Sequence, residues 1–306
     1  MTQQDQEQQR PQALPDPWSD VSPLDGLLAL LDLTPEGLDD HGQDLFTGIS
    51  QPQPHGRVYG GQVLGQTIMA AAMTVPEDRL IHSMHGYFLR AGDSSERITF
   101  AVERLRDGRS FTARRVHAIQ HGKPILSMIA SFEVEGTGLD HQDEMPEVPD
   151  PETLPTAKQL IGHIDHPVAR YWSQGRPVDV RHVDPPLYWG EVENRVAQQS
   201  VWMKAAGPLP DDQRVHRAVL AYASDYTLLE SALRKHGKPW ATPHMKVASL
   251  DHAMWFHRPV KADEWLLYTQ NSPSASGARG LGVGRIFTRD GVLVATVAQE
   301  GMIRVP

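Results

Sequence analysis

The sequence predicts an α+β protein built from two copies of one unit, each a helix followed by an antiparallel sheet. Three observations carry that prediction. Two stretches repeat one another at a nearly constant spacing. Each contains a segment with apolar residues or small residues at helical spacing. Each helical segment is followed by short runs rich in Val, Ile and aromatic residues, bounded by turn signals.

The repeat comes first because it decides the architecture. Tyr87-Phe88-Leu89-Arg90 and Trp255-Phe256-His257-Arg258 are similar settings whose arginines lie 258 − 90 = 168 residues apart. The same offset pairs Glu96 with Glu264 and Ile98 with Leu266. It also pairs the closing runs, Ile125 to Ser131 with Leu293 to Gln299. Duplication explains such an offset better than chance does.

The elements follow in order. Residues 1–22, rich in Gln, Asp and Pro, read as a flexible tail. The first unit spans 23–134. Its apolar stretch Gly26 to Leu33, interrupted by Asp32, is an ordinary core segment. Tyr59 to Ala72 is a helix whose small residues allow close packing on a sheet, and Arg97 to Val102 is a strand, with Asp107-Gly108 as a turn. Residues 135–184 are a Pro-rich acidic linker, because Pro146, Pro149, Pro151, Pro155, Pro167 and Pro177 disrupt regular structure. The second unit spans 185–306. His216 to His236 is a helix with Val219, Ala223, Tyr226, Leu229 and Leu233 at helical spacing, and Trp265 to Tyr268 is a strand. One long helix plus a mostly antiparallel sheet is an α+β layer arrangement. A sheet wrapped around the helix is the shape called a hot dog, and two fused units make a double hot-dog.

Composition narrows the function. The chain has 306 residues, 40% hydrophobic and 22% charged, as in a soluble globular protein. No run approaches the ~20 apolar residues that span a bilayer. The N-terminus has neither a basic start nor an apolar stretch with a cleavage site, so a cytoplasmic location without membrane association is expected. No cysteine is present, which removes disulfides, thiolate nucleophiles and Cys-ligated zinc together. Net charge is 29 − 38 = −9, a poor match to nucleic acid. An anionic ligand therefore needs a local basic patch. Arg114 with Arg115, and the region of Arg279 and Arg285, are candidates, and solvated strand positions suit these arginines equally well.

Several residues invite chemistry. Asp225 sets one carboxylate among Ala221, Tyr222, Leu228 and Leu229, its helical neighbours. It is as readily the N-cap of a helix that begins later. Taken singly, Ser249 is an ordinary core hydroxyl and Gln299 an amide at a strand end. His82, His85, His252 and His257 lie in equivalent strands, but their spacings match no zinc signature, since neighbours on one strand face differ by two. No metal is expected. A Gly-x-Ser-x-Gly elbow is absent.

Longer strings are more specific. His82 to Arg90, Leu105 to Val116 and Gly122 to Ile125 closely resemble the type II acyl-CoA thioesterase family. So do Tyr222-Ala223-Ser224-Asp225, Leu250 to Pro259 and Gln299-Glu300-Gly301. The resemblance covers nearly the whole chain after the first twenty residues. It implies a double hot-dog that hydrolyses fatty acyl-CoA to free acid and CoA with no cofactor. It implies a catalytic group of an Asp on the second hot-dog helix, a hydroxyl residue on the following strand and a Gln near the C-terminus. These fall on Asp225, Ser249 and Gln299. Serine stands where the family usually has Thr; it keeps the hydroxyl and lacks the methyl that stiffens the rotamer.

The implied chemistry has Asp225 as general base and Ser249 with Gln299 positioning the water. Backbone N–H groups of the second unit, near a helix start, would hold the oxyanion. Arg114, Arg115 and Arg279 would contact the CoA. Gln62 stands at about the place of Asp225 in the first unit, so one active site per chain is expected. The acyl chain would occupy an apolar tunnel lined by Met254, Trp255 and Phe256, for each of which a core role is equally expected. Family members imply a homo-oligomer, a dimer or tetramer of double hot-dogs. Two rival readings remain on the sequence: a hot-dog hydratase or dehydratase, which needs a catalytic His beside a carboxylate, and a non-catalytic acyl-CoA-binding module.

Overall fold

The computed structural model describes residues 21–305 except 189, 191 and 192. The expected tail, 1–22, therefore lies almost wholly outside the described residues. Helix α1 (Pro23–Leu31) comes first: the Ser22 hydroxyl accepts from the Asp25 N–H at 3.1 Å, and Pro23 pre-sets the first turn. Its Leu27, Leu30 and Leu31 share one face and are buried.

Strands β1 (Thr34–Leu38) and β2 (Asp44–Gly48) lead to helix α2 (Gly60–Ala72). The first unit then closes with β3 (Arg79–Phe88), β4 (Ile98–Asp107), β5 (Phe111–Gln120) and β6 (Lys123–Val134). Two short helices, α3 (Ala157–Ile161) and α4 (Pro167–Arg170), lie in the connecting segment, followed by β7 (Val178–His182) and β8 (Gln198–Ala205). Helices α5 (Gln213–Ser224) and α6 (Glu230–Lys235) precede β9 (Lys246–Ser249) and β10 (Asp251–Phe256). The chain ends with β11 (Leu266–Ser276), β12 (Arg279–Thr288) and β13 (Leu293–Arg304).

These strands make one 13-stranded sheet in the order β1-β2-β4-β5-β6-β3-β10-β13-β12-β11-β8-β7, with β9 attached to β13. Helix α2 lies over β3 to β6, and α6 lies over β8, β11 and β12. Each half-sheet wraps its own helix, the double hot-dog expected from the repeat. The halves join where β3 pairs antiparallel with β10. There His85 faces Ala253, and 253 − 85 = 168, the offset of the repeat. Equivalent residues thus meet across the junction, as a pseudo-twofold axis requires. Antiparallel pairing at this seam leaves neither unit with an open edge there.

The connecting segment is more ordered than its prolines suggest. Residues 135–150 contain no helix or strand, yet they are tied down. The Trp202 indole donates to the Pro149 carbonyl at 2.9 Å, and Arg289 pairs with both Asp150 and Glu152. Each such exposed ion pair contributes little, but together they lay the segment across the second sheet. Its last residues become β7, whose buried Val178, Val180 and His182 alternate with Asp179 and Arg181. The period-2 pattern outweighs the proline before it. No described helix is long and apolar enough to cross a membrane.

Candidate active site

The helix expected over His216 to His236 is broken. Helix α5 ends at Ser224, a run of turns follows, and α6 begins at Glu230. Asp225 is the residue at the break, capping α5 with φ −84° and ψ −4°. It is neither mid-helix nor an N-cap. Asp is a weak helix former, and here its carboxylate finds better partners away from its own helix.

Those partners come from three elements. The Gln299 amide on β13 donates to Asp225 Oδ1 at 2.8 Å and to Ser249 Oγ at 2.7 Å. The Ser249 hydroxyl, at the end of β9, donates to the same Oδ1 at 3.3 Å. The Gly61 N–H in the first turn of α2 donates to the carboxylate as well. A Cβ on Gly60 would stand 2.7 Å from Asp225 Oδ2, so glycine is what lets the helix start come this close. The positive end of the α2 dipole therefore faces the acid. This helix start belongs to the first unit, whereas Asp225, Ser249 and Gln299 belong to the second.

Burial pushes the Asp225 carboxyl up to about 6, and the donors Gln299, Gly61 and Ser249 restrain the rise. The fully buried Tyr268 donates at 3.3 Å to the carbonyl of Ser224, next in sequence. Tyr59, stacked on Tyr226 at 5.0 Å, anchors α2 by donating to the Tyr222 carbonyl at 2.8 Å.

Ser249 and Gln299 converge because the strand register slips between β9 and β10. Ser249 pairs with Gly301, a sum of 550, whereas Ala253 pairs with Ala298, a sum of 551. One extra residue on the β9–β10 side puts both Ser249 and His252 beside Gln299. In a regular strand, positions three apart would point to opposite faces. His252 is buried, with Nδ1 2.7 Å from Gln299 Oε1 and Nε2 3.0 Å from Ser224 Oγ. Burial lowers its pKa to about 4. The spacing rule for regular strands, by which His252 matches no metal site, hides its place beside Gln299. The other histidines go elsewhere: His82 to Ser131, His85 against Trp255, and His257 to Thr296.

Asp225, Ser249 and Gln299 line a cavity of about 500 Å³. Tyr59, Phe88 and Tyr226 form one side of it. The connecting segment supplies another wall, Tyr171, Trp172 and Arg176, with the Arg176 guanidinium 4.3 Å from the Tyr226 ring centre. The exposed His55, Arg57 and Arg90 mark its rim.

Other expected contacts lie elsewhere. Arg114 is buried, bonded to Thr74 and paired with Asp107 at 2.6 Å, so it braces the first sheet. Arg115 pairs with Glu103 and Arg279 with Glu300, and none of the three arginines lines the cavity. Met254 and Phe256 are core residues, and Trp255 is exposed on the outer face; they line no tunnel here. Strand alternation sends Met254 and Phe256 into the packed layer and Trp255 out of it. Gln62 accepts from the Gln51 N–H at 3.1 Å and donates to Gln66, a fully committed buried amide that offers no base.

The chain resembles known proteins in sequence and fold. A family profile described as acyl-CoA thioesterase matches residues 182–302, and one described as acyl-CoA thioesterase N-terminal domain matches residues 49–133. Human acyl-coenzyme A thioesterase 8 is 41% identical over 296 residues, covering 92% of each chain. The crystal structure of an acyl-CoA thioesterase II from Mycobacterium marinum is 43% identical, with TM-score 0.73 over 92% of this chain and 98% of its own. A hot-dog protein from Alicyclobacillus acidocaldarius, 20% identical, shares the fold with TM-score 0.74 over 92% of this chain and 98% of its own. With both halves matched and the likeness running through almost the entire described chain, the protein belongs to the acyl-CoA thioesterase family.

Proposed function

We propose that this thioesterase hydrolyses fatty acyl-CoA by general-base attack of a water on the thioester carbonyl. The observation that carries the reading is the contact set at the cavity: Gln299, Ser249 and Asp225 joined by hydrogen bonds of 2.7–3.3 Å. Asp225 accepts a proton from the water as its oxygen bonds to the carbonyl carbon. The tetrahedral intermediate then collapses, the C–S bond breaks, and the proton passes to the departing CoA thiolate. The rim residues His55, Arg57 and Arg90 suit the CoA phosphates, through charge-assisted hydrogen bonds.

The hydratase reading needs a histidine beside the carboxylate. His252 instead bonds Gln299 and Ser224, which leaves Asp225 with amide and hydroxyl donors. The enzyme is read as a cytoplasmic dimer or tetramer of double hot-dogs, which light scattering of the purified chain tests.

Two outcomes check the chemistry. The base must be ionised, and burial holds Asp225 at about 6. Activity should therefore be full above that pH and fall roughly tenfold per unit below it in a kcat/KM profile of thiol release. A profile flat from pH 4.5 to 8 would remove Asp225 from the base role. Ser249→Ala should lower kcat by about tenfold, the worth of one charge-assisted hydrogen bond, and Ser249→Thr should keep most of the rate. Equal loss in both variants would mean that the hydroxyl is not what matters.

A further inference from the structure

We infer that His252 is a positioning residue for the hydrolysis, holding the Gln299 side chain in the one orientation that turns its NH₂ group toward Asp225 and Ser249. This rests on the reading of Asp225, Ser249 and Gln299 as the reacting site.

A glutamine amide has two ends of almost equal shape and opposite hydrogen-bonding character. In this site the ends are not interchangeable. Nε2 lies 2.8 Å from Asp225 Oδ1 and 2.7 Å from Ser249 Oγ. If the amide turned over, Oε1 would face a carboxylate, acceptor against acceptor, and Ser249 would lose its donor. The covalent geometry of Gln299 does not prevent that flip; the carboxylate opposes it from one end and the histidine from the other. Oε1 only accepts, so the Nδ1 that lies 2.7 Å away must carry a proton.

The rest of the proton pattern follows. A buried imidazole is neutral here, so Nε2 is an acceptor, and the Ser224 hydroxyl 3.0 Å away donates to it. The same hydroxyl has the Ala221 carbonyl at 2.9 Å as its alternative acceptor. One arrangement therefore serves every member. Ser224 donates to His252, His252 donates to Gln299, and Gln299 donates to both Asp225 and Ser249. Ser224, His252 and Gln299 are all at most 1% exposed, so water does not take the place of a missing donor.

The test compares two isosteric amides in the full chain. Asn places its amide nitrogen where Nδ1 lies, and Gln places it where Nε2 lies. His252→Asn should keep kcat within about threefold of wild type, whereas His252→Gln should lose about 10–100-fold, with KM unchanged in both. On a Gln299→Ala background, His252→Gln should cost nothing further, because the group it positions is gone. Equal rates in the two His252 variants, or losses from His252→Gln and Gln299→Ala that multiply, would overturn the positioning role while leaving the site reading intact. A wild-type rate in Gln299→Ala alone would overturn the site reading and this inference with it.

Discussion

Asp225→Asn is expected to lower kcat by about 10²–10⁴-fold, the usual worth of a general base, and at the same time to make the protein more stable. The two effects share a cause. The Asp225 carboxyl stands at about 6 in the folded protein against 3.8 for the free side chain, because enclosure penalises its charge. At pH 8 it is ionised in both folded and unfolded states, and the folded state carries the cost. A shift of about two units corresponds to roughly 3 kcal/mol, and solvent reaching the carboxylate through the cavity reduces this to about 2–3 kcal/mol. The cost disappears as pH falls from the folded value toward the unfolded one, since the folded state then gains the proton first. Thermal unfolding should therefore show the Asn variant several degrees more stable at pH 8, with the gap closing near pH 4. An Asn variant that is slow but less stable at pH 8 would mean that the carboxylate is well solvated or better paired than its surroundings indicate.

Gly61→Ala is expected to be the most damaging single methyl in the molecule. An added Cβ would overlap the Tyr222 carbonyl oxygen and the Tyr59 ring, the place where α2 meets α5. The carbonyl belongs to a helix backbone and cannot turn aside, so α2 must move. Overpacking of this kind typically costs about 1–3 kcal/mol. The displacement also draws the Gly61 N–H away from Asp225, so the folded fraction should be slower as well as scarcer. Gly65→Ala provides the comparison, because its Cβ would lie 3.1 Å from the Ala218 carbonyl, a tighter than ordinary but nearly tolerable contact. Denaturant unfolding should rank wild type above the Gly65 variant and that above the Gly61 variant. A Gly61 variant as stable as wild type would show that the two helices are not pressed together through these glycines.

The architecture was legible because duplication leaves its mark at the level of spacing. The 168-residue offset read from Arg90 and Arg258 reappears as the pairing of His85 with Ala253. The trio of Asp225, Ser249 and Gln299 was legible only through the family strings, since each residue alone has an ordinary role. Their contacts in the structure come from three separate elements that no local pattern connects. What stayed hidden depends on departures from regularity. The break after Ser224 lies inside a run with good helical periodicity, where tertiary hydrogen bonds to Asp225 outweigh propensity. His252 was set aside by a face rule that the register slip suspends. Charge in sequence does not reveal whether a guanidinium faces a ligand or, like Arg114, a buried threonine and a carboxylate. The connecting segment gave no sign that Tyr171, Trp172 and Arg176 would wall the cavity.

In the proposed route water, directed by Asp225, attacks the thioester carbonyl without an acyl-enzyme. Rapid quenching of the 34.0 kDa chain during turnover in ¹⁸O water, followed by intact mass measurement of protein and product, tests it most directly. Direct attack by water leaves an unmodified chain at every time point and puts one ¹⁸O in the released acid. An acyl adduct on Ser249 or Asp225, or ¹⁸O appearing in the Asp225 carboxylate, would show a covalent route and contradict it.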